Sequence, residues 1–113
     1  MKDKEVQTIN KMIEYIDKVC DYTRGYTLDE FYNDTKTQDA TIFNISQIGE
    51  LIKNISIETQ EKYKDIEWQM IKGLRNRIIH DYTGINLNNI WYIINFDLDI
   101  LKEKLEKIIK EID

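Results

Sequence analysis

Proline is absent from this 113-residue chain, and glycine occurs only four times. Both residue types interrupt helices, proline because it lacks an amide proton and glycine because its backbone is unusually free. Apolar residues recur along the chain at alternating spacings of three and four, the period of a helix buried on one side. The sequence therefore predicts an all-α fold. Its length predicts a single domain over residues 1–113, without a linker.

Local signals predict where the helices begin and end. Gly25 can adopt the left-handed conformation that ends a first helix at about Thr23. Thr27 and Glu30 form the pattern of a capping box, which predicts a short second helix. Further helices are predicted at about residues 35–54, 57–63, 68–79 and 87–112.

The third predicted helix has a broad apolar face and a glycine in its middle. Gly49 lowers helix propensity, which makes sense if another helix crosses closely there. The residues predicted for the apolar face are Ala40, Phe43, Ile45, Ile48, Ile52 and Ile55. In the last helix the apolar surface around Trp91 exceeds what one buried face needs, so either a partner subunit or the first helix is expected to cover it.

Charge and cysteine content limit the protein's class. The formal net charge of -5 argues against a protein that coats RNA through general positive charge. Cys20 is the only cysteine, so it cannot form an intramolecular disulfide, and its place on an apolar stripe predicts a buried thiol. The sequence has no evident signal peptide and no apolar run of about 20 residues. We therefore expect a cytoplasmic protein.

One segment reverses the overall charge. Between Trp68 and Tyr82 the charged side chains are Lys72, Arg75 and Arg77 against Asp81 alone. A local excess of cations in an acidic chain indicates an anion site.

The residue types in this segment suit phosphate chemistry. His80 is the only histidine, and an imidazole can take or give a proton near neutral pH. An arginine such as Arg75 offers a permanent donor fork for phosphate oxygens. Together they can support cleavage of RNA by its own 2′-hydroxyl, which needs a base, an acid and positive charge at phosphorus. Without further context, a lone histidine at a helix end is more often a structural cap against the helix dipole than a catalytic residue.

The pattern resembles a known group of proteins. The residues that carry the resemblance are Ile48-Gly49-Glu50-Leu51, Trp68, Arg75, Asn76, His80, Asp81 and Tyr82. They resemble the HEPN superfamily and, within it, the HepT-like toxins of prokaryotic toxin–antitoxin pairs, over roughly residues 39–101. The resemblance implies a homodimeric up-and-down bundle of four main helices plus short helices. It also implies a metal-independent ribonuclease without a cofactor, paired with an MntA-like nucleotidyltransferase antitoxin that adenylylates the motif tyrosine.

The resemblance assigns roles to the motif residues. Arg75 and His80 are the predicted catalytic pair, as phosphate clamp and as general acid or base. Asn76, Arg77 and Tyr82 are predicted to position the RNA, and Tyr82 is also the predicted modification target. Arg77 is interpreted either as part of the track for the RNA backbone or as an ordinary solvated charge. The solvated interpretation is favoured for Lys72 and for Glu50.

The spacing of the catalytic pair creates a geometric problem. Five residues along an unbroken helix place Arg75 and His80 about 140° apart. Either the helix ends near Ile79 and the chain returns His80 toward Arg75, or each residue meets its equivalent across a two-fold axis. The dimer is favoured because the acid and base roles are easier to fill with two imidazoles. The rival hypothesis is a HEPN module that binds nucleotides or serves as a scaffold without cutting RNA.

Overall fold

Every secondary-structure element in the computed structural model, which describes residues 3–79 and 87–112, is helical. The helices are α1 (Asp3–Thr23), α2 (Leu28–Tyr32), α3 (Thr35–Leu51), α4 (Ile57–Lys62), α5 (Trp68–Lys72), α6 (Leu74–Ile79), α7 (Leu87–Tyr92) and α8 (Leu98–Ile112). A 3₁₀ turn, Ile52–Asn54, follows α3, and a π-helical turn, Ile93–Asp97, joins α7 to α8. The all-α prediction is confirmed. The single-domain boundary stays a prediction.

The helix ends follow the signals in the sequence. Gly25 follows α1 with a φ of 77°, in the left-handed region that glycine adopts without strain. The Thr27 side chain accepts from the Glu30 amide and the Glu30 carboxylate accepts from the Thr27 amide, so the predicted capping box is formed. Ser56 caps α4 by accepting from the Thr59 amide.

The core lies between α1, α3, α8 and the segment that carries α5 and α6. Helix α1 packs against both α3 and α8, and α3 also packs against α5 and α6. Isoleucines dominate the buried set, and the side chains with no exposed surface are Ile9, Met12, Ile16, Val19, Phe31, Ile45, Ile48, Ile78, Ile90, Ile93 and Leu105. The half-buried Cys20 packs against this core, and burial raises the pKa of its thiol. The isoleucine-rich faces seen in the sequence therefore meet in one cluster.

One prediction about the apolar faces was wrong. Phe43 is 59% exposed, because α3 turns the face of Thr41, Ile45 and Ile48 inward and Phe43 lies on the other side. Trp91 is half-buried against the core, and its ring packs against Phe31 of α2, with ring centroids 5.4 Å apart. The predicted cover by a partner subunit or by α1 stays a prediction.

The segment predicted as one helix over residues 68–79 is divided at Gly73. The Gly73 amide donates to the carbonyls of both Gln69 and Met70, at 3.1 and 3.2 Å, which closes α5. The Arg77 amide donates to the Gly73 carbonyl at 3.0 Å, so α6 starts immediately afterwards. The division leaves the following residues helical up to Ile79.

A buried carboxylate joins the first helix to α4. Glu5 is 8% exposed, and its Oε1 accepts from the Ser56 amide at 2.6 Å. Its Oε2 accepts from the Thr59 hydroxyl at 3.2 Å. Glu5 therefore satisfies donors at the start of α4 that would otherwise lack a partner.

Within the described ranges, no helix combines the length and apolar character needed to span a bilayer.

Candidate active site

A close helix crossing forms one side of the candidate site. A Cβ atom at Gly49 would lie 2.9 Å from the Ile71 carbonyl oxygen and 3.3 Å from that of Lys72. Only glycine allows α3 to approach the end of α5 this closely, since real Cβ atoms essentially never come within 3.0 Å of such atoms. The predicted reason for a glycine at this position is confirmed.

This crossing creates a cleft between α3 and the α5–α6 segment. The cleft has a volume of about 500 Å³ and is lined by Gly49, Glu50, Lys53, Gln69, Lys72, Gly73, Arg75 and Asn76. Its charged side chains are three cations and one carboxylate, so it is positive in a chain whose net charge is -5. The cleft is therefore suited to an anion.

Two of the predicted site residues lie together here. Arg75 and Asn76 are adjacent on the first turn of α6, and both are exposed. No hydrogen bond or ion pair among residues 3–79 and 87–112 uses either side chain. Glu50 pairs with Lys53 at 3.7 Å rather than with Arg75. The guanidinium of Arg75 is thus available for a ligand.

The third predicted residue on α6 lies elsewhere. Arg77 follows Arg75 by two residues, which corresponds to about 200° around the helix. Its side chain lines a different groove, between the α5–α6 segment and α8, together with Asp97, Ile100 and Lys104. The structure therefore does not bring Arg77 to the cleft of Arg75 and Asn76.

The predicted catalytic His80 and the predicted modification target Tyr82 lie outside the described residues, as does Asp81. The described chain reaches Ile79 and resumes at Leu87. On the far side of this interval, the Tyr32 hydroxyl donates to Asn88 Oδ1 at 3.1 Å, which joins α2 to the first turn of α7. The roles of His80 and Tyr82 stay predictions.

The cleft contains residues that the motif alone does not point to. Lys53 and Gln69 line it beside Arg75, although neither belongs to the recognised pattern. Lys53 lies four residues after Gly49, about one turn further along the chain, so the crossing glycine is the signal that could have indicated it. Lys72 and Glu50, interpreted from sequence as solvated charges, are exposed and also line the cleft.

The fold and cleft define an all-helical protein with a cationic site at a helix crossing. The family profile described as "Ribonuclease HepT-like" matches residues 12–108. The chain belongs to this family of HepT-like ribonucleases in the HEPN superfamily.

Curated relatives agree with this assignment. The chain is similar to "Putative RNase MJ0127" of Methanocaldococcus jannaschii, with 37% identity over 115 residues, covering 100% of this chain and 94% of that protein. It is similar to "Probable ribonuclease HepT" of Thermococcus cleftensis, with 31% identity, covering 97% of this chain and 100% of the relative.

A longer M. jannaschii protein, "Gamma-glutamylcyclotransferase and putative RNase MJ0434", is 37% identical over 105 residues. The chain covers only 47% of that protein's length. No solved structure matches the chain.

Proposed function

We propose that this protein is a metal-independent endoribonuclease and the toxin of a toxin–antitoxin pair. The observation that carries the proposal is the exposed Arg75 and Asn76 in a cationic cleft, in a chain that belongs to a ribonuclease family. A phosphodiester is the anion that such a family member has to hold. The cleft offers a permanent guanidinium charge and an amide donor for its oxygens.

The chemistry follows from the residue types. His80 removes the proton from a ribose 2′-hydroxyl, and the 2′-oxygen bonds to the adjacent phosphorus as the bond from phosphorus to the 5′-oxygen breaks. A second imidazole gives a proton to the departing 5′-oxygen. The products are a 2′,3′-cyclic phosphate and a 5′-hydroxyl. Arg75 stabilises the negative charge that develops on the phosphorane, and Asn76 orients either the phosphate or His80.

A homodimer supplies the second imidazole. Each chain has one histidine, and the described part of α6 ends at Ile79, directly before it. A two-fold axis near this end of α6 brings two copies of His80 and Arg75 to one composite site.

The proposed regulation acts at Tyr82. A nucleotidyltransferase antitoxin of the MntA type transfers AMP to the Tyr82 hydroxyl, releasing pyrophosphate from ATP. The added phosphate brings negative charge and bulk to a site that must hold RNA, so RNA is repelled and excluded. The mass of the Tyr82-containing peptide, measured after expression with and without the antitoxin, tests this step.

The nuclease proposal is tested by replacing Arg75 with alanine. We expect at least a hundredfold loss of RNA cleavage in the presence of a chelator, because removing one donor to a developing oxyanion costs about 10²–10³ in rate. Arg24→Ala is the matched control, since Arg24 is an exposed arginine paired with Asp21 on α1, away from the cleft. A single deoxyribose at the cleaved nucleotide should stop the reaction, because the nucleophile is then missing.

Two results would contradict this function. Wild-type protein, free of nucleotide on Tyr82, that leaves RNA intact while it binds AMP or ATP would support a non-catalytic nucleotide-binding or scaffold module. Cleavage that survives Arg75→Ala and His80→Ala would show that the activity lies elsewhere.

A further inference from the structure

Lys53 lies between two cavities. Its side chain lines the cleft between α3 and the α5–α6 segment, and it also lines a larger groove with a volume of about 940 Å³. Lys53 belongs to the 3₁₀ turn after α3, which is held against the core by the buried Ile52 and Ile55. The Lys53 side chain is 69% exposed, and its pairing with Glu50 at 3.7 Å is a surface contact of little strength. Its ammonium group is therefore open to a ligand that passes from one cavity to the other.

The larger groove, which we call the α4 groove, is lined mainly by polar side chains. It is bordered by the first turn of α1, by the turn of Lys53, by α4 and by the last turn of α8. Among its described lining residues the aliphatic ones are Ile55, which is buried, and Ile112. A groove of this kind suits a polar chain better than the apolar side of a protein segment.

The cations of the α4 groove are exposed. They are Lys4 at the start of α1, Lys53, and Lys62 at the end of α4. No ion pair between described residues includes Lys4 or Lys62. The Lys62 ammonium group lies 5.5 Å from the centre of the Tyr63 ring, which leaves its protons free for oxygen acceptors.

Most carboxylates of the groove already have donors from the protein. Glu5 is buried, and both of its oxygens accept from residues at the start of α4. Glu111 accepts from the Tyr63 hydroxyl. In the described part of the chain this leaves Glu58 as the carboxylate of the groove without such a donor, against three lysines. The groove therefore offers an anion more donors than it opposes with free carboxylates.

Continuity with the cleft identifies the anion as a nucleic acid backbone. In the proposed function Arg75 holds one phosphate of an RNA strand, so the neighbouring phosphates of that strand have to leave the cleft along some path. Single strands are bound by cationic grooves that follow their backbone. The path over Lys53 leads into such a groove. Arg77, which the sequence suggested for this track, lines neither cavity.

We propose that the RNA strand leaves the cleft over Lys53 and enters the α4 groove, where Lys4 and Lys62 bind its further phosphates. The substrate in this inference rests on the function proposed above. Lys53 binds the phosphate next to the one that is cleaved, at a subsite outside the recognised motif. None of the three lysines contacts the reacting atoms, so they contribute affinity for long RNA and leave the chemical step unchanged.

Lys53→Gln tests the first contact of this path. The affinity for a non-cleavable 2′-O-methyl RNA of about eight nucleotides, measured by fluorescence anisotropy, should fall about fivefold, as expected for one ion pair lost in water. The salt dependence of binding should become shallower by about one phosphate contact. Lys53→Arg keeps the charge and should bind like the wild type. Lys11→Gln is the matched control, because Lys11 forms a similar exposed pair with Glu14 but lines neither cavity.

Cleavage of two substrates separates affinity from chemistry. A dinucleoside monophosphate has one phosphate, which occupies the cleft alone, so wild type and Lys53→Gln should cleave it with equal kcat/KM. With the longer RNA, KM of Lys53→Gln should rise about fivefold at unchanged kcat. An equal loss with both substrates would place Lys53 at the scissile phosphate and overturn the separate subsite.

A double variant tests the rest of the path. Lys4→Gln combined with Lys62→Gln should weaken binding of the longer RNA at least about fivefold. Lys11→Gln combined with Lys18→Gln removes two exposed lysines of α1 outside both cavities and should have little effect. If the two double variants bind alike, the path through the α4 groove is overturned. The path is also overturned if Lys53→Gln slows AMP transfer by the nucleotidyltransferase and leaves RNA affinity unchanged, because the groove would then be a protein contact.

The two proposals fail in different ways. RNA that binds through Lys53 but is never cut refutes the nuclease and leaves the α4 groove in place. A protein that cuts RNA, with Lys53→Gln indistinguishable from Lys11→Gln, refutes the groove and leaves the nuclease in place.

Discussion

Replacing Gly49 with alanine tests whether the close crossing of α3 and α5 holds the cleft in shape. The new methyl group would sit 2.9 Å from the Ile71 oxygen and 3.3 Å from the Lys72 oxygen. Both are backbone atoms, so no side chain can rotate away, and α5 has to move. Arg75 and Asn76 lie in the first turn of α6, just beyond the end of α5, so the cleft would move with it.

Two opposing effects determine how much Gly49→Ala changes the free energy of unfolding. Alanine stabilises a helix interior by about 1 kcal/mol relative to glycine. Overpacking of a tight contact costs about 1–3 kcal/mol, and contact with two backbone oxygens places this site in the upper part of that range. We therefore expect Gly49→Ala to lower the free energy of unfolding by about 1–2 kcal/mol, or the melting temperature by about 4–8 °C for a chain of this size.

Gly73→Ala is the control, because Gly73 lines the same cleft. A Cβ there would meet the Gln69 and Met70 oxygens at 3.6 and 3.7 Å, which is ordinary van der Waals contact. Its φ of -87° is accessible to alanine. In urea unfolding, Gly73→Ala should be neutral within about 0.5 kcal/mol. If Gly49→Ala is as stable as Gly73→Ala or as the wild type, the crossing does not require glycine and our reasoning is refuted.

Two further predictions concern single carboxylates. Glu5→Ala should lower the free energy of unfolding in urea by about 1–3 kcal/mol, because the Ser56 amide loses a buried acceptor at 2.6 Å. Glu14→Ala, at an exposed surface pair, should change it by less than about 0.5 kcal/mol, and equal effects of the two variants would contradict this role for Glu5. Hydrogen bonds from the Thr37 side chain, from Tyr26 and from the Thr37 amide hold the pKa of Asp34 at about 2, below its ordinary 3.8. Because the folded pKa is the lower one, the stabilising contribution of Asp34 is complete above about pH 3.8 and is lost as the pH falls toward 2. The melting temperature of wild type should therefore exceed that of Asp34→Asn at pH 5, and the difference should shrink by pH 2. A difference that is constant with pH would show that ionisation of Asp34 is not its source.

Features decided by a few neighbouring residues could be predicted from the sequence. The ends of α1 and α2 depend on Gly25 and on the capping box of Thr27, and each signal acts within one turn. The crossing at Gly49 could also be predicted, since a glycine inside a helix needs a reason beyond propensity. All three predictions are confirmed.

Features that depend on distant packing could not be predicted in the same way. Helix α3 has apolar residues around much of its circumference, so its own spacing does not say whether Phe43 or Thr41 faces the core. Trp91 packs against Phe31, a residue of a five-residue helix whose position depends on the whole bundle.

In contrast, the separation of Arg75 from Arg77 could have been predicted from helix geometry alone. A spacing of two residues on a helix directs side chains to opposite sides. The motif resemblance gave Arg77 a substrate role, while the structure places it in a second groove. The environment of the Arg77 guanidinium could be known only from the fold.

The π-helical turn at Ile93–Asp97 has a consequence for changes in chain length. Such a turn accommodates one residue more than an α-helical turn without shifting the faces on either side of it. Loss of one residue there can be absorbed by a return to ordinary α-helix, with Ile90 and Leu98 both still facing inward. The same loss in the middle of α1 would rotate every later side chain of that helix by about 100°. Of the two long helical segments that pack together, the one that includes α7 and α8 is therefore the one in which a single-residue deletion can be tolerated.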